Sequence, residues 1–121
     1  MRGTWLMAVG AALLCGVASA PSFAQGPRHF SGIASYYDKN YTGKTASGQR
    51  YDGAKYTAAH RTLPFGTRLR VTDQRSHRSV MVVVNDRGPF IKSRVLDLSY
   101  AAAKALGMQH RGLLRVTAAV E

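Results

Sequence analysis

Val82 to Phe90 reads VVVNDRGPF: three β-branched residues run straight into Asn85, Asp86, Arg87, Gly88 and Pro89, setting an acid and a base where a strand should end. Working backwards, Ser79 to Val84 becomes continuously apolar, which predicts a strand buried on both faces, and Asp73 to His77 before it is a polar turn. Thr67 to Thr72 alternates, with Arg68 and Arg70 expected outward and Leu69 and Val71 inward. Leu63-Pro64-Phe65-Gly66 is turn chemistry, Tyr56 to His60 is a short apolar-polar run, and Gly32 to Tyr37 has the β-branched and aromatic content of a first strand. Between those strands, Asp38 to Gly53 carries Gly43, Gly48 and Gly53 among Asn, Ser, Thr and Lys. It reads as a long surface loop, and such loops in small domains are disproportionately functional. On the other side, Val95 to Leu98 is a short strand, Ser99 caps a helix through Ala101, Ala102, Ala103 and Ala105 that Gly107 stops, and Leu113 to Val120 is a last strand. The expected fold is mainly β: a small closed barrel with one short helix near the C-terminus.

The chain has 121 residues, 17 Lys and Arg against 6 acids, and one cysteine. Arg2 precedes an apolar run from Leu6 to Val17 that is too short for a membrane span and ends in small residues, the pattern of a signal peptide. Cleavage is expected after Ala24, leaving residues 25–30 as a short lead-in and residues 31–120 as one domain. Leu14 before Cys15 is larger than a lipoprotein signal wants, so lipid anchoring is not expected. Removing the leader takes away the cysteine and Arg2, leaving 16 Lys and Arg against 6 acids, a formal charge of +10. The reading is an exported, periplasmic or envelope protein that is not integral to the membrane. It seeks anions and is held by its core without disulfides. The basic residues are scattered and no nucleic-acid motif accompanies them, so nucleic acid is not expected as a partner.

Acid–base chemistry must come from the aspartates at 38, 52, 73, 86 and 97, or from the C-terminal Glu121. Asp86 leads, because an acid at the exit of a buried strand is held rigidly and partly desolvated. If the Arg87 guanidinium folds back onto it, the pair is structural. His60 ends another apolar segment and could meet Asp86 at one rim of the barrel, to orient the acid or hydrogen-bond a sugar. Asp97 precedes the Ser99 cap, where its carboxylate could serve the helix N-terminus. Tyr36, Tyr37, Tyr41 and Tyr51 flank the glycine-rich loop, and aromatic faces are what sugar rings stack on, although core packing is the ordinary use of such residues. His29, His60, His77 and His110 have no ligand spacing, so neither a metal nor a cofactor is expected.

Three segments together carry a resemblance: GIASYY (32–37) with KTASG (44–48), YTAAH (56–60) with TLPFGT (62–67), and VNDRGPF (84–90) with LDLS (96–99). They resemble the RlpA-like (rare lipoprotein A) family of septal lytic transglycosylases. The resemblance implies a six-stranded double-psi β-barrel related to barwin and expansin domains, acting on peptidoglycan glycan strands and leaving 1,6-anhydro-muramyl ends. It implies a monomer, with septal cell-division proteins as further partners. By position, Asp86, His60 and Gln49 fall in the implied catalytic set, and Thr45, Tyr37, Asp52, Asn85 and Arg87 in the implied substrate-binding set. Gln49 departs from the family, whose active members carry glutamate there; a glutamine can hydrogen-bond but cannot donate and recover a proton. Lytic cleavage needs fewer carboxylates than hydrolysis, because the muramic acid C6 hydroxyl is the internal nucleophile, so one acid can serve both steps. The alternative is a catalytically weak or inactive expansin-like peptidoglycan-binding module.

Overall fold

The structure is a computed structural model and describes residues 28–121. The signal peptide, the cut after Ala24 and the lead-in up to residue 27 lie outside the described residues. Six strands, β1 (His29–Tyr36), β2 (Thr57–Ala59), β3 (Arg68–Asp73), β4 (Ser79–Asp86), β5 (Arg94–Leu98) and β6 (Leu114–Val120), close a barrel in the order β1-β5-β2-β4-β3-β6. One helix, α1 (Tyr100–Ala105), and a 3₁₀ turn at Met108–His110 lie between β5 and β6. The pairs β1/β5 and β2/β4 are parallel and the rest antiparallel. Closure leaves no free sheet edge.

Alternation along the strands fills the interior. Leu69 and Val71 of β3, Val80, Val82 and Val84 of β4, Leu96 and Leu98 of β5, and Val116 and Ala118 of β6 are buried and form one cluster. Ala102, Ala103, Leu106 and Met108 extend the cluster from α1 and the turn after it. Arg68 and Arg70 face solvent, as the alternation in the sequence predicts.

Three expectations change. β4 is not buried on both faces: Val80, Val82 and Val84 point inward, whereas Val83 is 37% exposed. A barrel strand has one interior face, and here β-branched residues serve the outer one as well. β1 begins at His29 rather than Gly32, because His29 and Phe30 pair with Ala119 and Ala118 of β6, so the last two lead-in residues belong to the barrel. β4 also runs two residues further than expected, taking in Asn85 and Asp86.

One irregularity decides where the acid points. In the β2/β4 pair, Ala58 faces Val84 but the next residue, Ala59, faces Asp86, so Asn85 is an extra residue. Such a bulge re-aims the side chains beyond it. The inward period of Val80, Val82 and Val84 would carry Asp86 into the apolar core; the bulge turns it to the outer face instead.

Candidate functional site

The register puts four residues in one row across four strands: Ser35 of β1 faces Asp97 of β5, Asp97 faces Ala59 of β2, and Ala59 faces Asp86 of β4. Their neighbours Ala34, Leu96, Leu98, Ala58 and Val84 fill the interior, so the row lies on the outer face. Two strand spacings separate the two aspartate backbones, about 10 Å, with the small Ala59 as the floor between them.

Donors converge on the Asp86 carboxylate. Oδ1 accepts from the amides of Ala46 (2.7 Å) and Arg87 (2.8 Å), and Oδ2 accepts from the Tyr37 hydroxyl. The Ala46 amide is delivered by a tight turn in which Lys44 bridges Arg50, the Thr45 amide donates to the Gln49 carbonyl (2.7 Å) and the Gly48 amide donates to the Thr45 carbonyl (2.9 Å). Gly48 takes φ +91° there, a conformation glycine adopts without cost. Thr45 is buried, with its hydroxyl on Ser47 Oγ (2.8 Å) and the Gln49 carbonyl (3.1 Å), so it builds the turn rather than facing a ligand.

Gln49 is exposed, and its Oε1 accepts from Asn85 Nδ2 (3.3 Å) and Ser47 Oγ (3.4 Å). Gln49, Asn85 and Asp52 line one open cavity of about 430 Å³ together with Arg50, Lys55, Tyr56, Thr57 and Val83. A second cavity along Phe65, Gly66, Val83 and Val84 shares Gln49 and Asn85 with it. The two form a groove over the outer face of β4, with Gln49 and Asn85 at its middle. Asp52 turns one oxygen back to the Ala54 amide (2.9 Å), which fixes its own loop.

Tyr37 is not a free sugar platform. Its ring stacks on Tyr51 at 4.5 Å between centroids and leans on Tyr41 at 5.2 Å, while the Tyr51 hydroxyl accepts from the Tyr100 amide (3.0 Å). Burial, then the hydrogen bond to Asp86, pushes the Tyr37 hydroxyl far above the usual tyrosine range, so it stays protonated and donates.

His60 is brought to Asp86 through the backbone, its amide donating to the Asp86 carbonyl (3.2 Å). No hydrogen bond joins their side chains. Nδ1 of His60 accepts from the amides of Thr62 (3.1 Å) and Leu63 (3.0 Å), its ring lies 5.0 Å from that of Phe30, and it is 8% exposed. Burial, then the charges of Arg61 and Arg87, holds it below the usual histidine range. Nδ1 as acceptor leaves the ring proton on Nε2. The Arg87 guanidinium does not fold onto the Asp86 carboxylate: it reaches the carbonyls of Leu63 (2.8 Å) and His60 (3.2 Å) and lies 4.1 Å over the Phe65 ring. It braces the 60–65 turn, and Asp86 keeps no ionic partner among the described residues.

Asp97 does not serve the helix. The Ser99 hydroxyl accepts from the Ala102 amide (3.3 Å) at the N-terminus of α1, while the Asp97 carboxylate accepts from Ser35 Oγ. Asp97 Oδ2 also lies under the Asp86-Arg87-Gly88-Pro89 turn, 3.8 Å from where a side chain at Gly88 would begin. The Leu-Asp-Leu alternation marks Asp97 as outward-facing, but only the cross-strand register sets it beside Asp86. Among the described residues no group of three or more His, Cys, Asp and Glu could hold a metal, and no helix is long and apolar enough to cross a membrane.

Comparison with known proteins gives this geometry a family. Residues 29–118 match the family model described as lytic transglycolase. A probable endolytic peptidoglycan transglycosylase RlpA of Aquifex aeolicus is 50% identical over 95 residues, covering 78% of this chain and 42% of the relative. The endolytic peptidoglycan transglycosylase RlpA of Pasteurella multocida is 53% identical over 83 residues, 68% of this chain and 28% of the relative. The chain thus spans less than half the length of these relatives. Among solved structures, Streptomyces papain inhibitor superposes with a TM-score of 0.64 at 24% identity, covering 82% of this chain and 98% of that one. A mutant Clavibacter michiganensis expansin in complex with cellohexaose superposes with a TM-score of 0.62 at 21% identity, covering 77% of this chain and 50% of that one. At such identities these two carry the fold alone, a double-psi β-barrel.

Proposed function

We propose, from the premise that this chain belongs to the lytic transglycosylase family, that its barrel cleaves the MurNAc–GlcNAc bonds of peptidoglycan strands endolytically and leaves 1,6-anhydro-MurNAc ends. The observation that carries the reading is the state of Asp86: a carboxylate turned outward by a bulge, fixed by three donors and free of any ionic partner among the described residues, next along β4 to Asn85, which lines a groove with Gln49. In this reading Asp86 protonates the glycosidic oxygen as the leaving group departs. It then takes the proton of the muramic acid C6 hydroxyl as that oxygen closes the anhydro ring, so the carboxyl group is regenerated and no water is consumed. Gln49 and Asn85 hold sugar hydroxyls in the groove. His60 supports the floor of the site through its backbone and its two amide contacts.

The fit of glutamine at position 49 follows from the same scheme. A second carboxylate is needed where water must be activated, and here the nucleophile belongs to the substrate. A glycan-binding module with little or no cleavage is the second reading, favoured by Gln49 alone. Export to the cell envelope belongs to the main reading, supported by the leader pattern at residues 2–24; monomeric action and contact with septal cell-division proteins belong to it through the family alone. Incubating the protein with peptidoglycan and identifying products by mass tests the main reading. Anhydro-muramyl ends are expected, and their absence together with retained sedimentation onto glycan would replace it with the second.

A further inference from the structure

Counting acceptor sites on Asp86 isolates one atom. An ionised carboxylate has about four lone-pair sites. Two backbone amides occupy Oδ1, whereas Oδ2 has a single partner, the Tyr37 hydroxyl. The one open site on the carboxylate is therefore on Oδ2, and the direction in which it opens is set by where Tyr37 stands. Tyr37 is in turn immobilised: its ring is stacked on Tyr51, its amide donates to the Leu98 carbonyl (3.0 Å), and the Tyr51 hydroxyl is tied to α1 through the Tyr100 amide. The Tyr37 hydroxyl donates to Asp86 of β4, and the charges of Asp86 and of Asp97 on β5 both favour its protonated form.

We infer that Tyr37 is the positioning residue of this site: its hydroxyl occupies one lone pair of Asp86 Oδ2, so the proton of the acid is carried at the other site of that oxygen and is aimed at the glycosidic oxygen. The inference rests on the proposed cleavage reaction and adds what selects the reacting lone pair. Tyr37 neither gains nor loses a proton in the cycle; the proton moves between Asp86 Oδ2 and the substrate oxygens, and the phenol remains a donor throughout. This reassigns Tyr37 from sugar stacking to orientation of the acid.

Two measurements test it. The first is steady-state formation of anhydro-muramyl ends by wild type and Tyr37→Phe. Tyr37→Phe keeps the stacked ring and loses only the hydroxyl, so kcat is expected to fall by about 10- to 100-fold while KM stays within about two-fold, the mark of a group that matters in the transition state. Unchanged kcat in Tyr37→Phe, or a change confined to KM, would overturn the inference. The second needs no turnover: ¹³Cζ-tyrosine NMR across an alkaline titration of wild type and Asp86→Asn. At the neutral start of the titration the Tyr37 resonance is expected to shift once the Asp86 charge is gone; an unchanged resonance there would show that the hydroxyl is not held on the carboxylate and end the inference. If wild type forms no anhydro ends, the cleavage reading fails by itself, and the NMR result still decides whether Tyr37 holds Asp86.

Discussion

At the scale of single residues, the site depends on one carboxylate being presented outward and held. Asp86→Asn keeps the size of the side chain and the acceptor for at least one amide but removes the exchangeable proton, so cleavage is expected to fall by roughly 10²- to 10⁴-fold with little loss of glycan binding. Gln49→Glu is the converse experiment. Position 49 already accepts from Asn85 and Ser47, so a carboxylate there inherits both contacts, and no more than about a ten-fold rise in product formation is expected if Asp86 is the acid. A larger rise would name position 49 as the acid of the family and this chain as a weakened member. Both variants are read by quantifying anhydro-muramyl ends.

At the scale of elements, the construction of the site explains what the sequence reveals and what it hides. The apolar run, the turn residues and the Ser99 cap are local signals, and they suffice for the strands, the helix and the place of Asp86 at the end of β4. The bulge at Asn85 is not local: it exists only because Ala58 and Ala59 of β2 register against Val84 and Asp86. Nor could spacing reveal that Asp97 shares a row with Asp86, since 10 residues and a change of strand lie between them. The contrary fates of Arg87 and His60 have the same origin. Their partners are carbonyls and amides of the 60–65 turn, which have no signature in side-chain composition. Two element-scale predictions follow from those contacts. Ser99→Ala leaves the amides of Thr57 and Ala102 without their shared acceptor and is expected to cost about 1–2 kcal/mol by denaturant unfolding. Arg87→Ala removes the brace on the 60–65 turn and should lower activity with only a modest loss of stability. Loss of the fold in Arg87→Ala would show that the barrel itself depends on the brace.

At the scale of the whole molecule, the barrel couples stability to acid at two places. Burial disfavours charge on Asp73, but the Arg111 guanidinium (2.6 Å), the Arg75 amide and the Ser76 hydroxyl outweigh it and hold the carboxyl down at about 2. A carboxyl depressed in the folded state lends stability above its unfolded value, about 3.9, and that stability is lost as pH falls through the folded value. His60 acts earlier. It is buried in the neutral form and held low, so the unfolded chain binds its proton first, and stability is expected to begin falling as pH drops below about 6.5. Urea unfolding from pH 7.5 to 5 should therefore show a decline in wild type that is reduced in His60→Gln, and Arg111→Ala should cost roughly 3–5 kcal/mol near neutrality by stranding a buried charge. With 17 Lys and Arg against 6 acids, adhesion to an anionic wall polymer is expected to weaken with added salt and to be separable from the proposed cleavage at the groove. The role of Asp86 as the acid is therefore tested by product mass spectrometry on peptidoglycan digested by wild type and Asp86→Asn side by side, with sedimentation onto the glycan measured in the same samples. Wild type is expected to release 1,6-anhydro-muramyl ends, Asp86→Asn to lose them and both to sediment equally; anhydro ends from Asp86→Asn at the wild-type rate would rule out Asp86 as the acid.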